Sequence, residues 1–282
     1  MKPHQECDWP LMSLRHYIAN TVAVFALGTF LFFGWAHESL ENVRKQRRLI
    51  GELERVPCRI KFHEDRYVAP VWLQGRYFDE PLRCLQRIEF DFEDHPDVTD
   101  SHIRSLACFS QLEGIHSQVT GLSGEGLAAL RGLRHLKELD VCACPLSPAG
   151  FENISRLQNL TLLNICDTKA TDVEMRLIAT LRKLENLSVS GKELTDQGVA
   201  TLSVLGNLRH LSFHWQPITD ESLRHIGRLT RLESLDLMKT KIVGSEFHHL
   251  SRLRNLKNLR LGGLGASMKH EDAEALKKSL GL

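Results

Sequence analysis

The chain lacks a charge excess of either sign. Its 36 lysines and arginines face 35 aspartates and glutamates, which leaves a formal net charge of +1 over 282 residues. Proteins that bind nucleic acid through the phosphate backbone carry a marked basic surplus, so this balance excludes a bulk electrostatic role of that kind. We expect no nucleic-acid partner.

Catalytic and cofactor motifs are missing as well. The sequence has no P-loop, no dinucleotide fingerprint, no H-E-x-x-H zinc pair and no nucleophile elbow. An odd number of cysteines, seven, argues against a disulfide framework and for reduced thiols. We predict that the protein is not an enzyme and that it has no catalytic residues, no metal ligand set and no cofactor.

Charge is also absent from one long stretch, Tyr17–Ala36. Twenty helical residues span about 30 Å, the thickness of the hydrocarbon core of a bilayer. Tyr17 and Trp35 stand near its ends, where aromatic rings favour the membrane interface. We predict an N-terminal tail over 1–16 and a single-pass transmembrane helix over 17–36. A cleaved signal peptide ending at Gly34-Trp35-Ala36 and a buried core helix are the alternatives.

A charged segment over 37–55 follows, and we predict a juxtamembrane helix there. Its apolar residues fall on one face: Leu40, Val43, Leu49, Ile50 and Leu53. Its Arg44–Arg48 cluster either touches anionic lipid headgroups or is solvated. More basic residues follow the apolar run than precede it, which favours a cytoplasmic position for the rest of the chain. Because Arg44 lies eight positions beyond Ala36, the side of the membrane stays open.

The rest of the chain repeats every 24 residues. Its first column is leucine throughout: Leu112, Leu136, Leu160, Leu184, Leu208, Leu232 and Leu256. Apolar residues follow three and, except at Ser117, five positions later, and the period of two between them predicts a strand with one buried face. In the second half of each unit, columns that begin at Ile103, Leu106 and Phe109 predict a short helix. Hydroxyl side chains precede these helices as predicted N-caps: Thr99, Ser123, Ser147, Thr171, Thr195 and Thr219.

These columns, with Ile-Thr-Asp before the helix in residues 208–229, resemble the leucine-rich repeat family and its short bacterial type. An apolar span followed by Gln46-Arg47-Arg48 and repeats also resembles membrane-anchored bacterial repeat proteins. The resemblance implies an α/β fold, a leucine-rich repeat solenoid with a parallel inner sheet and outer helices, preceded by one transmembrane helix. No defined activity comes with it. We expect a module that binds or scaffolds a protein partner.

We assign the repeats to 85–266 and the end caps to 56–84 and 267–282. In the first cap, Trp72, Tyr77 and Phe78 are predicted to cover the first repeat. Because open solenoid ends expose core, caps of this kind are needed.

Strand residues between the buried ones are predicted to point into a concave groove. The candidate binding residues are His116, Asp140, Asn164, Ser188, Ser212, Asp236 and Arg260 in a central column, with His210 and His214 beside it. We expect hydrogen-bonding groups here that fold stability does not require. A merely solvated sheet is the alternative.

Two further interpretations of the surface residues remain as alternatives. Cys142 and Cys166 are neighbours in one groove column, with Cα atoms about 5 Å apart, so a membrane-tethered thiol or metal sensor is the alternative function. A basic edge for anionic lipid or acidic protein comprises Arg131, Arg134, Arg156, Arg182, Lys183, Arg228, Arg231, Arg252 and Arg254. Cations near helix C-termini complement the helix dipole, which explains many of these without a function.

Overall fold

The computed structural model describes residues 14–56, 58–74, 78, 82–90, 98–118, 121–262 and 278, with the backbone alone for 14–26 and 72. The chain divides into two units. The first comprises Met1–Arg47 and Tyr67–Leu82, and the second Arg48–Arg66 and Arg83–Leu282. The tail over 1–13 and all but one residue of the predicted C-terminal cap over 267–282 lie outside the described residues.

One helix, α1 (Leu14–Leu53), covers both of the N-terminal helices predicted from the sequence. The predicted boundary between 36 and 37 shows no break, because neither proline nor glycine occurs between Trp35 and Ile50. Within the described part of the chain, no helix is long and apolar enough to cross a membrane. The side chains of 17–26, half of the predicted span, lie outside the described residues.

The described side chains of α1 change character at Ala36. Before it, large apolar side chains are exposed: Leu27, Phe30, Leu31, Phe32, Phe33 and Trp35. From Ala36 onward apolar side chains are buried, and Ala36 and Leu40 form a cluster with Leu73 of α2 (Val71–Gln74). Phe78, predicted to cover the first repeat, packs against this cluster, with the Arg47 guanidinium 4.8 Å from its ring centre.

The second unit contains a nine-stranded sheet whose strands lie in chain order. The strands are β1 (Cys58–Tyr67), β2 (Arg83–Phe90), β3 (Gly114–Ser117), β4 (Glu138–Asp140), β5 (Leu162–Asn164), β6 (Asn186–Ser190), β7 (His210–His214), β8 (Ser234–Met238) and β9 (Asn258–Gly262). All pairs from β2 to β9 are parallel, and from β3 onward each residue pairs with the residue 24 positions later, as Leu163 does with Leu187. The strand columns predicted from the sequence are thus confirmed.

Short helices follow the strands. They are α3 (Asp100–Ser105), α4 (Pro148–Ser155), α5 (Asp172–Ile178), α6 (Asp196–Leu202) and α7 (Leu223–Ile226), with 3-10 helices over Leu106–Cys108, Glu125–Gly132, Asp220–Ser222 and Phe247–Arg252. The predicted apolar stripes are buried except at Phe247, which is half-buried. Ser123 is not the N-cap it was predicted to be, because Gly124 takes that position with a φ of 85°. Without a capping side chain, residues 125–132 form a 3-10 helix.

Aspartates link successive repeats at these helix starts. Asp172 accepts bonds from the N–H and hydroxyl of Thr195, and Asp196 accepts the same pair from Thr219. Asp100 accepts from the N–H and hydroxyl of Ser123, and Asp220 accepts from the N–H and hydroxyl of Ser245. Each of these aspartates lies in the first turn of a helical segment, where an acid complements the dipole of its own helix. In the structure each one also satisfies unpaired amides at the start of the following repeat.

Candidate binding surface

The groove residues lie in the predicted columns. In the central column, His116 pairs with Asp140, Asp140 with Asn164 and Ser188 with Ser212, while Asp236 pairs with Arg260. His210 and His214 begin and end β7. The parallel sheet therefore brings all nine predicted site residues to one face, as a row that runs across the seven strands β3 to β9.

On β2 to β5 these side chains bind each other. Glu138 pairs with Arg87 of β2 and lies 3.2 Å from His116 Nε2. Asn164 Nδ2 donates to Asp140 Oδ2 at 3.1 Å, and Gln118 donates to the same oxygen. His116 has Glu138 as its carboxylate partner. The polar groups of this half satisfy one another.

Asp140 is the clearest example of a groove side chain that bonds within the protein, since it is only 9% exposed. The Cys142 N–H donates to Asp140 Oδ1 at 3.0 Å, and the Cys166 N–H makes the same bond to Asn164 Oδ1 at 3.1 Å. A buried N–H or carboxylate without a partner is costly, so these bonds stabilise the turns after β4 and β5. The sequence predicts that fold stability does not require Asp140, whereas these bonds predict that it does. Sequence columns do not reveal it, because the bonds are to the turn backbone and the neighbouring strand.

On β6 to β8 the groove is more open. Ser188, Ser212 and His214 are half-buried and His210 is exposed, and within the described residues none of them has a hydrogen-bonded side-chain partner. Asp236 is an exception, because it accepts from the Met238 N–H at 2.9 Å and from Arg260 at 3.0 Å. These strands thus offer small side chains and imidazoles with free hydrogen-bonding capacity.

Trp215 stands at the end of β7, and sequence reasoning missed it. The residues one position after the column of Cys142, Cys166 and His214 have a positive φ in five successive repeats: Ala143, Asp167, Gly191, Trp215 and Lys239. The left-handed conformation costs an L-residue about 1–2 kcal/mol, and glycine avoids that cost. Trp215 has a φ of 62° and is nevertheless 38% exposed, so its indole is not held there by a core. The one sequence signal is a tryptophan in a column of small or polar residues.

The surroundings of Trp215 are cationic and aromatic. The Lys239 ammonium lies 4.0 Å from the centre of the indole ring, within range of a cation–π interaction. The His214 ring contacts it edge-on, with ring centres 6.0 Å apart. Met238, half-buried, ends the adjacent strand. His214, Trp215, Met238 and Lys239 are together called the Trp215 patch below.

Cys142 and Cys166 are both free thiols. Burial, followed by the nearby Cys166 and the carboxylates of Asp140 and Asp167, raises the pKa of Cys142 to about 12. Burial also raises the pKa of Cys166. Thiolates are the reactive and metal-binding form, so these thiols are poor nucleophiles and poor ligands near neutral pH. Their environment gives no support to the thiol or metal sensor.

Part of the basic edge has a structural task. Lys183 donates to Asn159 Oδ1 at 2.7 Å and Arg231 to Asn207 Oδ1 at 2.6 Å, in both cases across one repeat. Asn159 and Asn207 in turn donate to backbone carbonyls of the preceding repeat, and Arg182 donates to the Val204 carbonyl. These cations join neighbouring repeats, which explains their periodic placement without a lipid or an acidic protein.

Comparisons with known proteins return likenesses to solved structures. No family model and no curated protein matches the chain. Internalin C2 of Listeria monocytogenes is 22% identical with a TM-score of 0.47, over 66% of this chain and 85% of that one. A plant peptide hormone receptor, RGFR1 in complex with RGF2, is 20% identical with a TM-score of 0.39, over 57% of this chain and 26% of the receptor. The 24-residue register of the parallel sheet by itself shows a solenoid of repeats, without either likeness.

Proposed function

We propose that the chain is a non-catalytic leucine-rich repeat module of the short bacterial type, and that a protein partner docks on the Trp215 patch and the adjacent groove of β6 to β8. The observation that carries the proposal is the exposed indole of Trp215, in a turn position whose other members are alanine, aspartate, glycine and lysine. The left-handed backbone belongs to this turn in all five repeats, whereas a large aromatic side chain that no core buries occurs there once, which favours a contact outside the chain.

Energetics favour this position as the centre of an interface. Tryptophan is enriched among the residues that dominate binding energy, because a large, stiff ring loses little entropy on contact. Trp215 follows a strand hydrogen-bonded to its neighbours, and its own N–H donates to the Met238 carbonyl at 3.2 Å. The indole is therefore held ready before a partner arrives.

The charge at the patch defines the chemistry of the partner. Among the ion pairs of the described residues none involves the Lys239 ammonium, which lies over the indole face. Exposed Lys241 adds a second cation close in the chain. The complementary partner is a protein segment that places an acidic side chain beside an apolar one.

Site-specific photo-cross-linking tests the proposal. A photoreactive amino acid replaces Ser212 in the groove, and in matched control chains it replaces Val173 or Val204, exposed apolar residues associated with the helices α5 and α6. We expect one protein to be cross-linked from position 212 in the cells that express the chain, and not from the controls. Adding Trp215→Ala should remove that product.

Equal labelling from the groove and the helices, or a product that survives Trp215→Ala, would place the binding surface elsewhere. If the cross-linked product is lost when the charges of Arg228, Arg231, Arg252 and Arg254 are reversed, the binding surface is the basic edge.

The N-terminal helix supports a second, separate proposal: a single-pass membrane anchor over Tyr17–Ala36, with the repeats on the cytoplasmic side. It is favoured by the uncharged run and by the exposed phenylalanines at 30, 32 and 33. The full chain should resist extraction with alkaline carbonate, whereas a chain beginning at Glu38 should be released. Protease digestion of sealed vesicles shows on which side of the membrane the repeats lie. Release of the full chain by carbonate would contradict the anchor.

A further inference from the structure

The last described helical segment brings together three side chains of metal-binding type. Glu246 precedes the 3-10 helix Phe247–Arg252, and His248 and His249 lie in its first turn. One ligand atom from each residue lies within 4.8 Å of the other two. His249 Nε2 is 3.3 Å from Glu246 Oε2, and His248 Nε2 is 3.8 Å from the same oxygen.

The two separations from Glu246 Oε2 are close to those in a zinc coordination sphere. Zinc binds imidazole nitrogen at about 2.0–2.1 Å and carboxylate oxygen at about 2.0–2.2 Å, so two ligand atoms at tetrahedral angles lie about 3.3 Å apart. The Glu246–His249 separation already has this value, and Glu246–His248 exceeds it by tenths of an ångström. The two imidazole rings are neighbours, with centres 4.1 Å apart and planes tilted by 37°.

The backbone beneath the cluster is fixed from the preceding repeat. Asp220 accepts bonds from the N–H groups of Val243, Gly244 and Ser245, the three residues before Glu246. Farther along, the carbonyl of His249 lies so close to Gly227 that a Cβ there would collide with it. The ligands therefore need side-chain movement only, and metal binding does not have to order a loop.

Exposure leaves room for a metal with open coordination positions. His248 is exposed, and Glu246 and His249 are half-buried, so all three ligand groups reach solvent. Two imidazoles and one carboxylate are a donor set that zinc accepts, with the remaining position filled by water or by a ligand from a partner.

We propose that Glu246, His248 and His249 form a zinc-binding site on the helical side of the solenoid. The site is separate in sequence and in chemistry from the Trp215 patch, so it does not depend on the binding function proposed above. Sequence patterns for zinc sites miss it, because its ligands are two adjacent histidines and a glutamate two residues before them.

Calorimetric titration of the tag-free full chain with zinc chloride tests the site. We expect the wild-type chain to bind one zinc ion more than the double variant His248→Gln with His249→Gln. Glu246→Gln should raise the dissociation constant at least about tenfold, a loss of about 1.4 kcal/mol. The matched control is His135→Gln, an exposed histidine outside the cluster, which should leave the titration unchanged.

Thermal melting supplies the second readout. Without zinc, all variants should melt as the wild type does, because the replaced side chains are not buried. With zinc, the melting temperature should rise for the wild type and for His135→Gln, and not for the double histidine variant. Identical zinc stoichiometry in the wild type and the double variant, or no zinc binding by the wild type, would overturn the proposal.

Discussion

On β2 to β5 the polar side chains of the groove bind one another and the turn backbone, whereas on β6 to β8 most of them face solvent beside an exposed tryptophan. Asp140 and Asn164 represent the first half, and Ser212 and His210 the second. In the sequence the two halves look alike, because both consist of columns of polar residues. The difference shows that a polar groove residue is available to a partner only where its neighbours leave its donors and acceptors unused.

The largest difference in stability is expected between two substitutions on opposite faces of one strand, β6. Leu187 is 1% exposed, so Leu187→Asp places a carboxylate in the apolar core shared by three repeats and should abolish cooperative unfolding. Ser188→Asp, on the groove face, should change the free energy of unfolding by no more than about 0.5 kcal/mol. Urea denaturation followed by circular dichroism measures both. Equal destabilisation would show that the strand register is wrong.

The next effect contrasts the two halves directly. Asp140→Ala removes the acceptor of the Cys142 N–H and of Asn164, and should lower the free energy of unfolding by about 1–3 kcal/mol. Ser212→Ala, on the open half, should cost no more than about 0.5 kcal/mol. Similar costs for both in urea denaturation would remove the distinction between the halves.

Acid should weaken the link between the first two repeats. Burial by itself raises the pKa of Asp100, but hydrogen bonds from Gly126 and Ser123 outweigh it and lower the pKa below the ordinary value. The stabilising contribution of Asp100 is therefore complete above about pH 3.9 and is lost as the pH falls from there through the lowered native pKa. Unfolding free energies measured across this range should show the loss in the wild type and not in Asp100→Asn. Ser123→Ala, which removes one donor, should diminish it.

The smallest effect on stability is expected at the position of greatest importance for binding. Trp215→Gly relieves a left-handed backbone that costs about 1–2 kcal/mol and removes a cation–π contact worth about 0.5–1 kcal/mol. The two terms oppose each other, so the free energy of unfolding should change by less than about 1.5 kcal/mol. A loss of several kcal/mol in chemical denaturation would mean that the indole is a packing residue.

The 24-residue periodicity predicts the structural features that depend on one residue type recurring at one spacing. The leucine columns determine which residues pair across the sheet, because a shared core admits only one register. Periodicity does not predict which polar side chains bond between neighbouring repeats. The bonds of Asp172 to Thr195 and of Asn164 to Asp140 require side-chain positions that a column of residue types does not specify.

Departures from the repeat were the least predictable features. The φ of Trp215 follows from its place in a turn whose other members are alanine, aspartate, glycine and lysine. The proposed zinc ligands lie at the start of a 3-10 helix over 247–252, and the columns, which predict only a short helix there, do not specify that geometry. The unbroken α1 shows that a change from apolar to charged residues does not by itself end a helix.

The aspartate links also give the solenoid a direction. Asp196 belongs to one repeat and accepts from Thr219 of the next, so the acceptor always precedes the donor in the chain. Removing repeats from the C-terminal end leaves an acceptor that water can satisfy, whereas removing them from the N-terminal end takes away the aspartate that holds the N-cap residue of the first remaining helix. Two truncations of equal length, one from each end, are therefore unequal in their consequences, and the array is best shortened from its C-terminal side.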